Sequence, residues 1–148
     1  MAKTYRITFS VRLVNRVMQT LLRLGLAPKG TYRLTVPGRK SGKLYSTPVM
    51  LVEDGSNRWL VSPYGEVNWV RNARAAGQVT LTRGRQSETV SIVELGPEDS
   101  APVLQKYITN EPITRPYFDV QPDSPLEEFV AEAPRHPVFL IQARNSTA

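Results

Sequence analysis

The hydrophobic period of the chain switches at Thr31 from helical to alternating, which commits the two sides of that point to different structures. Between Phe9 and Leu24, Val14, Val17, Met18, Leu21 and Leu22 recur at helical spacing, while Arg12, Arg16, Gln19 and Arg23 take the other side. Gly25 and Pro28 stop this helix. Beyond it, Tyr32 to Val36 alternates like a strand, Pro37 to Gly42 reads as a loop, and Ser46 to Glu53 is an apolar, β-branched strand. Asp54 to Asn57 is a turn, and Arg58 to Ser62 completes a hairpin. Pro63-Tyr64-Gly65 breaks that strand, and Val67 to Arg74 forms a short helix ending near Gly77. Strands at Gln78 to Thr82 and Glu88 to Leu95 follow, then a helix opened by Pro97, with Glu98 and Asp99 in its first turn, that runs to about Thr109.

From Glu111 to Pro137 there are six prolines together with Tyr117 and Phe118, a stretch too long for a plain connection and so expected to be a lid or binding loop. Val138 to Ile141 is a last buried strand, and Arg144 to Ala148 a tail. Six strands with short helices between hairpins predict an α+β fold: a small, mainly antiparallel barrel with helices on its outside. The expected division is a basic amphipathic helix over 1–30, the barrel over 31–143 and the tail over 144–148.

The absence of cysteine excludes disulfides, thiol nucleophiles and zinc–sulfur sites, and points to a cytoplasmic, reducing compartment. The single histidine, His136, stands in Pro134-Arg135-His136-Pro137, a poor setting for a metal site or a Ser-His-Asp triad. Catalysis therefore has to come from a cofactor. Net charge is +6, unevenly spread: the first 52 residues carry ten cations and no acid, while the rest carry nine cations and thirteen acids. An anionic partner is expected at the N-terminal third. Nucleic acid is disfavoured because aromatics are not interleaved with the cations, whereas the Phe9–Leu24 helix is compatible with an anionic membrane surface, which would make the protein peripheral on the inner face of the membrane.

Gly38-Arg39-Lys40-Ser41-Gly42-Lys43 is a glycine-bracketed basic loop between strands, able to offer backbone N–H groups, a hydroxyl and three cations to a phosphate, but lacking the spacing of a Walker loop. Read by itself, such a loop is more often a solvated hairpin tip. Trp69 and Asn72 fall one turn apart on one helix face, where a packing anchor and a cap are the plainer roles. Tyr107, Tyr117 and Phe118 are open to either packing or ligand contact.

Taken in order, Leu34-Thr35-Val36-Pro37-Gly38-Arg39-Lys40-Ser41-Gly42, Thr47-Pro48, Asn68-Trp69-Val70-Arg71-Asn72-Ala73-Arg74 and His136-Pro137-Val138-Phe139 resemble the deazaflavin-dependent nitroreductase family. The resemblance runs from about Leu34 to Ile141. It implies a split β-barrel of the flavin-binding type that uses coenzyme F420, a deazaflavin with a phosphate and an oligoglutamate tail, and transfers hydride to an electron-poor acceptor such as a quinone, an activated enone or a nitroaromatic. By position, Arg39, Lys40 and Ser41 would meet phosphate and tail, with Lys43 replacing an arginine that the family often carries at the position of Tyr45. Thr47, Pro48, Val49 and Met50 would border the cofactor groove, and Trp69 and Asn72 would close it. Ser62 would sit by the deazaflavin ring, and together with Tyr117 it is a catalytic candidate, Ser62 for a developing enolate and Tyr117 for the returning proton. Tyr107, Tyr117 and Phe118 would line the acceptor pocket. The alternatives are an FMN-binding split-barrel enzyme, whose phosphate could use the same loop, and a nonenzymatic basic module.

Overall fold

The computed structural model describes residues 9–24, 26 and 29–142; the expected tail at 144–148 and the helix stops Gly25 and Pro28 lie outside the described residues. The elements are α1 (Phe9–Arg23), β1 (Thr31–Pro37), β2 (Leu44–Asp54), β3 (Asn57–Val61), α2 (Asn68–Ala76), β4 (Gln78–Arg83), β5 (Gln86–Glu94), α3 (Pro97–Asn110), α4 (Leu126–Glu132) and β6 (Val138–Gln142). The strands close into an antiparallel barrel in the order β1-β2-β3-β6-β5-β4. This is the six-stranded α+β barrel expected from the alternation of apolar residues.

Alternation supplies the interior. Leu34 and Val36 of β1 point inward with Val49 and Leu51, Leu60, Val79 and Leu81, Val90, Phe139 and Ile141, and Val70 and Ala73 of α2 pack into the same cluster. β3 and β6 are buried on both faces, because Val61 and Val138, together with Val52 of the neighbouring β2, look outward into a second core built with Leu104, Tyr107 and Ile108 of α3 and Phe129 of α4. Two-sided burial explains why Val138 to Ile141 reads as an unbroken apolar run. Truncating a side chain as fully enclosed as Leu34 costs about 2–5 kcal/mol.

The stretch from Glu111 to Pro137 is mostly helical rather than a free loop, and it lends one residue, Ile113, to the second of the cavities described below. It contains a 3-10 helix at Pro112–Tyr117, α4, and a 3-10 turn at Ala133–Arg135, all laid against α3. Three of its six prolines sit where helices begin: Pro112 opens the first, Pro125 precedes α4, and Pro134 lies in the last turn. Prolines scattered at helix starts look, in sequence, like a loop.

α1 lies across β1, β2 and β4. Its C-terminal end is docked: Leu22 is buried, and its carbonyl accepts the Gly84 N–H at 2.8 Å. Leu13, Val14 and Val17 remain more than half exposed. No helix among the described residues is long and apolar enough to cross a membrane.

Candidate active site

The basic loop between β1 and β2 is closed on itself. Gly38 N–H donates to the Lys43 carbonyl at 2.7 Å, Gly42 N–H to the Gly38 carbonyl at 2.9 Å, and Lys43 N–H to the Ser41 hydroxyl at 3.2 Å. A side chain at Gly38 would bring its Cβ within 2.8 Å of the Tyr45 ring, so glycine here is what lets that ring lie against the loop. The loop is then pinned from outside: Asn72 Oδ1 accepts the Arg39 backbone N–H at 3.0 Å and its guanidinium at 2.8 Å. Asn72 can do this because α2 is rigid. Val70 and Ala73 anchor the helix in the barrel core, Trp69 leans on Phe139 with ring centroids 6.2 Å apart, and Gly77 at φ +72 ends it.

Between the loop and α2 lies a groove of about 410 Å³, lined by Arg39, Lys40, Ser41, Tyr45, Thr47 and Trp69 among others. Six of the cofactor-site candidates thus come together here, Asn72 being the sixth. Lys43 is exposed and contributes its backbone to the loop, and Tyr45 walls the groove.

A second cavity, of about 240 Å³, continues from the first, with Asn15, Thr47 and Trp69 in the walls of both. Its lining is mostly apolar: Pro48, Val49 and Met50 from β2, Pro63 and Tyr64 beyond β3, Tyr107 from α3, and Val14 and Met18 from α1. The α1 and Tyr64 contributions were not foreseen. The one available signal was Asn15, a poor helix former placed between the apolar residues Val14 and Met18.

The remaining candidates divide. Tyr107 lines the second cavity while being almost fully buried, and burial pushes its hydroxyl well above the ordinary tyrosine pKa. Tyr117 stands behind the wall, its ring edge-on to Tyr64 at 4.8 Å. Phe118 is not a pocket residue: it is buried in the second core and stacked on His136 at 3.8 Å, because the chain after the 3-10 helix turns inward. Ser62 is also displaced from its expected role. Fully buried, it donates its hydroxyl to the Gly65 carbonyl at 2.5 Å and its N–H to the Pro137 carbonyl at 2.9 Å, so that proton is committed to a turn.

The trough is therefore cationic and rich in hydrogen-bond donors at one end and apolar at the other. That donor set fits an amphiphile with an anionic arm and a flat ring. No curated protein sequence matches the chain. Among solved structures, an F420-H2 dependent reductase is 20% identical, with a TM-score of 0.54 over 77% of this chain and 95% of that one. A chain described as a domain-swapped dimer is 18% identical, with a TM-score of 0.56 over 90% and 99%. A NimC/NimA family protein from Clostridium acetobutylicum is 11% identical, with a TM-score of 0.53 over 91% and 88%. At such identities they share its fold. The model of the F420H(2)-dependent quinone reductases matches residues 11–122, a span that takes in α1, the basic loop and α2. The chain belongs to the F420H(2)-dependent quinone reductase family, which makes it a reductase whose coenzyme is F420.

Proposed function

We propose that the protein reduces a quinone, with the acceptor bound in the apolar cavity beside the coenzyme. The observation that carries this reading is the continuity of the two cavities through Asn15, Thr47 and Trp69, which lets an anionic arm and a ring be held by one trough. Arg39, Lys40 and Ser41 would hold the phosphate and tail; Thr47 to Met50 and Trp69 would hold the ring. When bound, reduced F420 supplies a hydride from its C5. The chain's own contribution is positioning and exclusion of water: Asn72 fixes the loop, and Pro48, Met50, Pro63 and Tyr64 present apolar surface to a flat acceptor. Reduction of a quinone to a hydroquinone also consumes one proton. We assign that proton to solvent, since the Ser62 hydroxyl is committed to Gly65 and burial holds the Tyr107 proton in place.

Oxidation of reduced F420, followed by the return of deazaflavin fluorescence with a short-chain naphthoquinone, a nitroaromatic or a cyclic enone as acceptor, tests this. The quinone is expected to give the highest kcat/KM. A nitroaromatic or enone turned over faster would overturn the assignment of acceptor.

The exposed stripe of α1 supports a second element of the reading. Leu13 and Val17 face outward beside Arg12 and Arg16, an arrangement suited to an anionic lipid surface from which an apolar quinone would be drawn.

A further inference from the structure

The Pro63–Gly65 turn, which supplies Pro63 and Tyr64 to the cavity wall, is fastened to the segment just before β6. Ser62 at its start is bonded to the Pro137 carbonyl, and Gly65 at its end, at φ +88, accepts the Ser62 hydroxyl. The middle of the turn is held by His136, whose Nδ1 lies 2.8 Å from the Pro63 carbonyl oxygen. The other ring nitrogen, Nε2, lies 2.7 Å from Glu132 Oε2. The ring, the carboxylate and the stacked face of Phe118 are all buried.

A carbonyl oxygen and an ionised carboxylate are both acceptors only, and a neutral imidazole has one N–H. Two contacts this short require two protons on the ring, or a proton on Glu132. Glu132 is itself held as a carboxylate: Arg135 donates to Oε1, and the Asp119 N–H donates to Oε2 at 3.2 Å. Asp119 also pairs with Arg135 at 2.9 Å, which keeps that guanidinium in place. The second proton therefore belongs to the imidazole. Burial opposes it and pulls the pKa of His136 down, with the charge of Arg135 acting in the same sense; the hydrogen bond and charge of Glu132 and the Pro63 carbonyl push it up. Burial is the largest of these pulls, so the ring gives up its second proton more readily than an ordinary histidine.

We propose that His136 is a positioning residue for the acceptor-cavity wall: as an imidazolium it bridges Glu132 to the Pro63 carbonyl, and on losing its second proton it keeps the charge-assisted bond to the carboxylate and releases the carbonyl. A neutral ring that kept both contacts would set lone pair against lone pair in a buried site, which costs more than swinging a short turn. Raising the pH thus loosens Pro63 and Tyr64, while the Arg39–Asn72 end of the trough is untouched. The link to the acceptor rests on the quinone reading above; the protonation and the movement of the turn do not.

His136 is the one histidine in the chain, so its ring ¹⁵N signals need no assignment. The titration is run on the full chain without coenzyme. Two ring N–H groups are expected on the acid side, and the amide signals of Tyr64 and Gly65 are expected to move with the midpoint of the ring. In Glu132→Gln the carboxamide donates to Nε2 of a neutral ring, so both contacts survive without the second proton. The ring midpoint should fall by about 1–3 pH units, the effect of removing one adjacent charge, and the two amides should become indifferent to pH. In turnover, KM for the quinone should rise about tenfold across the wild-type midpoint, the equivalent of one lost charged hydrogen bond, while the affinity for F420 stays constant. Amides at 64 and 65 that ignore the titration of the ring would overturn the proposal without any variant, and so would a single ring N–H across the whole range. A moving turn with a flat quinone KM would overturn the positioning role. No turnover at any pH, with the ring and turn still titrating together, would instead strike the quinone reading.

Discussion

Arg39 and Asn72, thirty-three residues apart in sequence, meet at one oxygen, where Asn72 Oδ1 takes both the backbone and the guanidinium N–H groups of Arg39. The contact joins the basic β1–β2 loop to α2, and it leaves further guanidinium donors to face the groove. Asn72→Asp is expected to keep the loop in place, since a carboxylate oxygen accepts the same two bonds, but to cancel one positive charge. Affinity for F420 should fall about tenfold with the melting temperature held or raised. Asn72→Ala should weaken both, with a stability loss of about 0.5–1.5 kcal/mol from the lost hydrogen bonds to Arg39. Equilibrium fluorescence titration and thermal unfolding of the two variants separate charge from placement.

Ser62→Ala discriminates a structural serine from a reacting one. Its hydroxyl is buried and bonded within the turn. Loss of about 1–3 kcal/mol in urea unfolding is expected, with kcat changed by no more than about threefold. A loss of about a hundredfold in kcat at unchanged stability would restore the serine to the chemistry.

Tyr107 provides a pH signature. Its pKa in the folded chain is raised above the ordinary value of 10, so the folded state holds the proton that the unfolded chain gives up. The stabilisation is fully present below pH 10 and is lost as pH rises beyond it, at about 1.4 kcal/mol per pH unit. Tyr107→Phe cannot ionise and should unfold in alkali with a shallower dependence on pH. Denaturant midpoints measured between neutrality and strong alkali for the two proteins test the difference.

The α1 reading calls for substitution rather than truncation, because Leu22 belongs to the buried set and Asn15 and Met18 wall the trough. Replacing Leu13 and Val17 together by glutamine should reduce binding to vesicles rich in phosphatidylglycerol about tenfold or more. Turnover of a water-soluble quinone should be unaffected. Vesicle sedimentation at two salt concentrations provides the measurement, and unchanged binding would remove lipid from the account.

Much of the barrel was legible because strand alternation leaves a mark every second residue: Leu34 and Val36, or Val79 and Leu81, announce an inner face without help from the rest of the chain. The basic loop was legible for a similar reason, glycine punctuation around three cations. What periodicity does not carry is partnership. The α1 stripe was visible, yet nothing in its spacing told that Val14 and Met18 face a cavity while Leu13 meets solvent. Phe118 and Tyr117 are adjacent, and only the inward turn after Tyr117 sends one ring to the core and leaves the other behind Tyr64. The least legible contact was that of His136. The prolines on either side of it said nothing of a partner, but the four-residue spacing from Glu132 survives the 3-10 turn between them and brings the two side chains together.

The place of β6 in the ring has a consequence for how the chain is made. The last strand enters between β3 and β5, so neither neighbour has its full set of partners until Val138 to Gln142 have left the ribosome. During synthesis the five earlier strands can form only an open ribbon with two bare edges, and both edges are apolar on the side that will become the interior. Closure is then a single long-range event, slow by comparison with the hairpins that precede it. The nascent chain is at greatest risk of pairing with another copy of itself in the interval before β6 emerges.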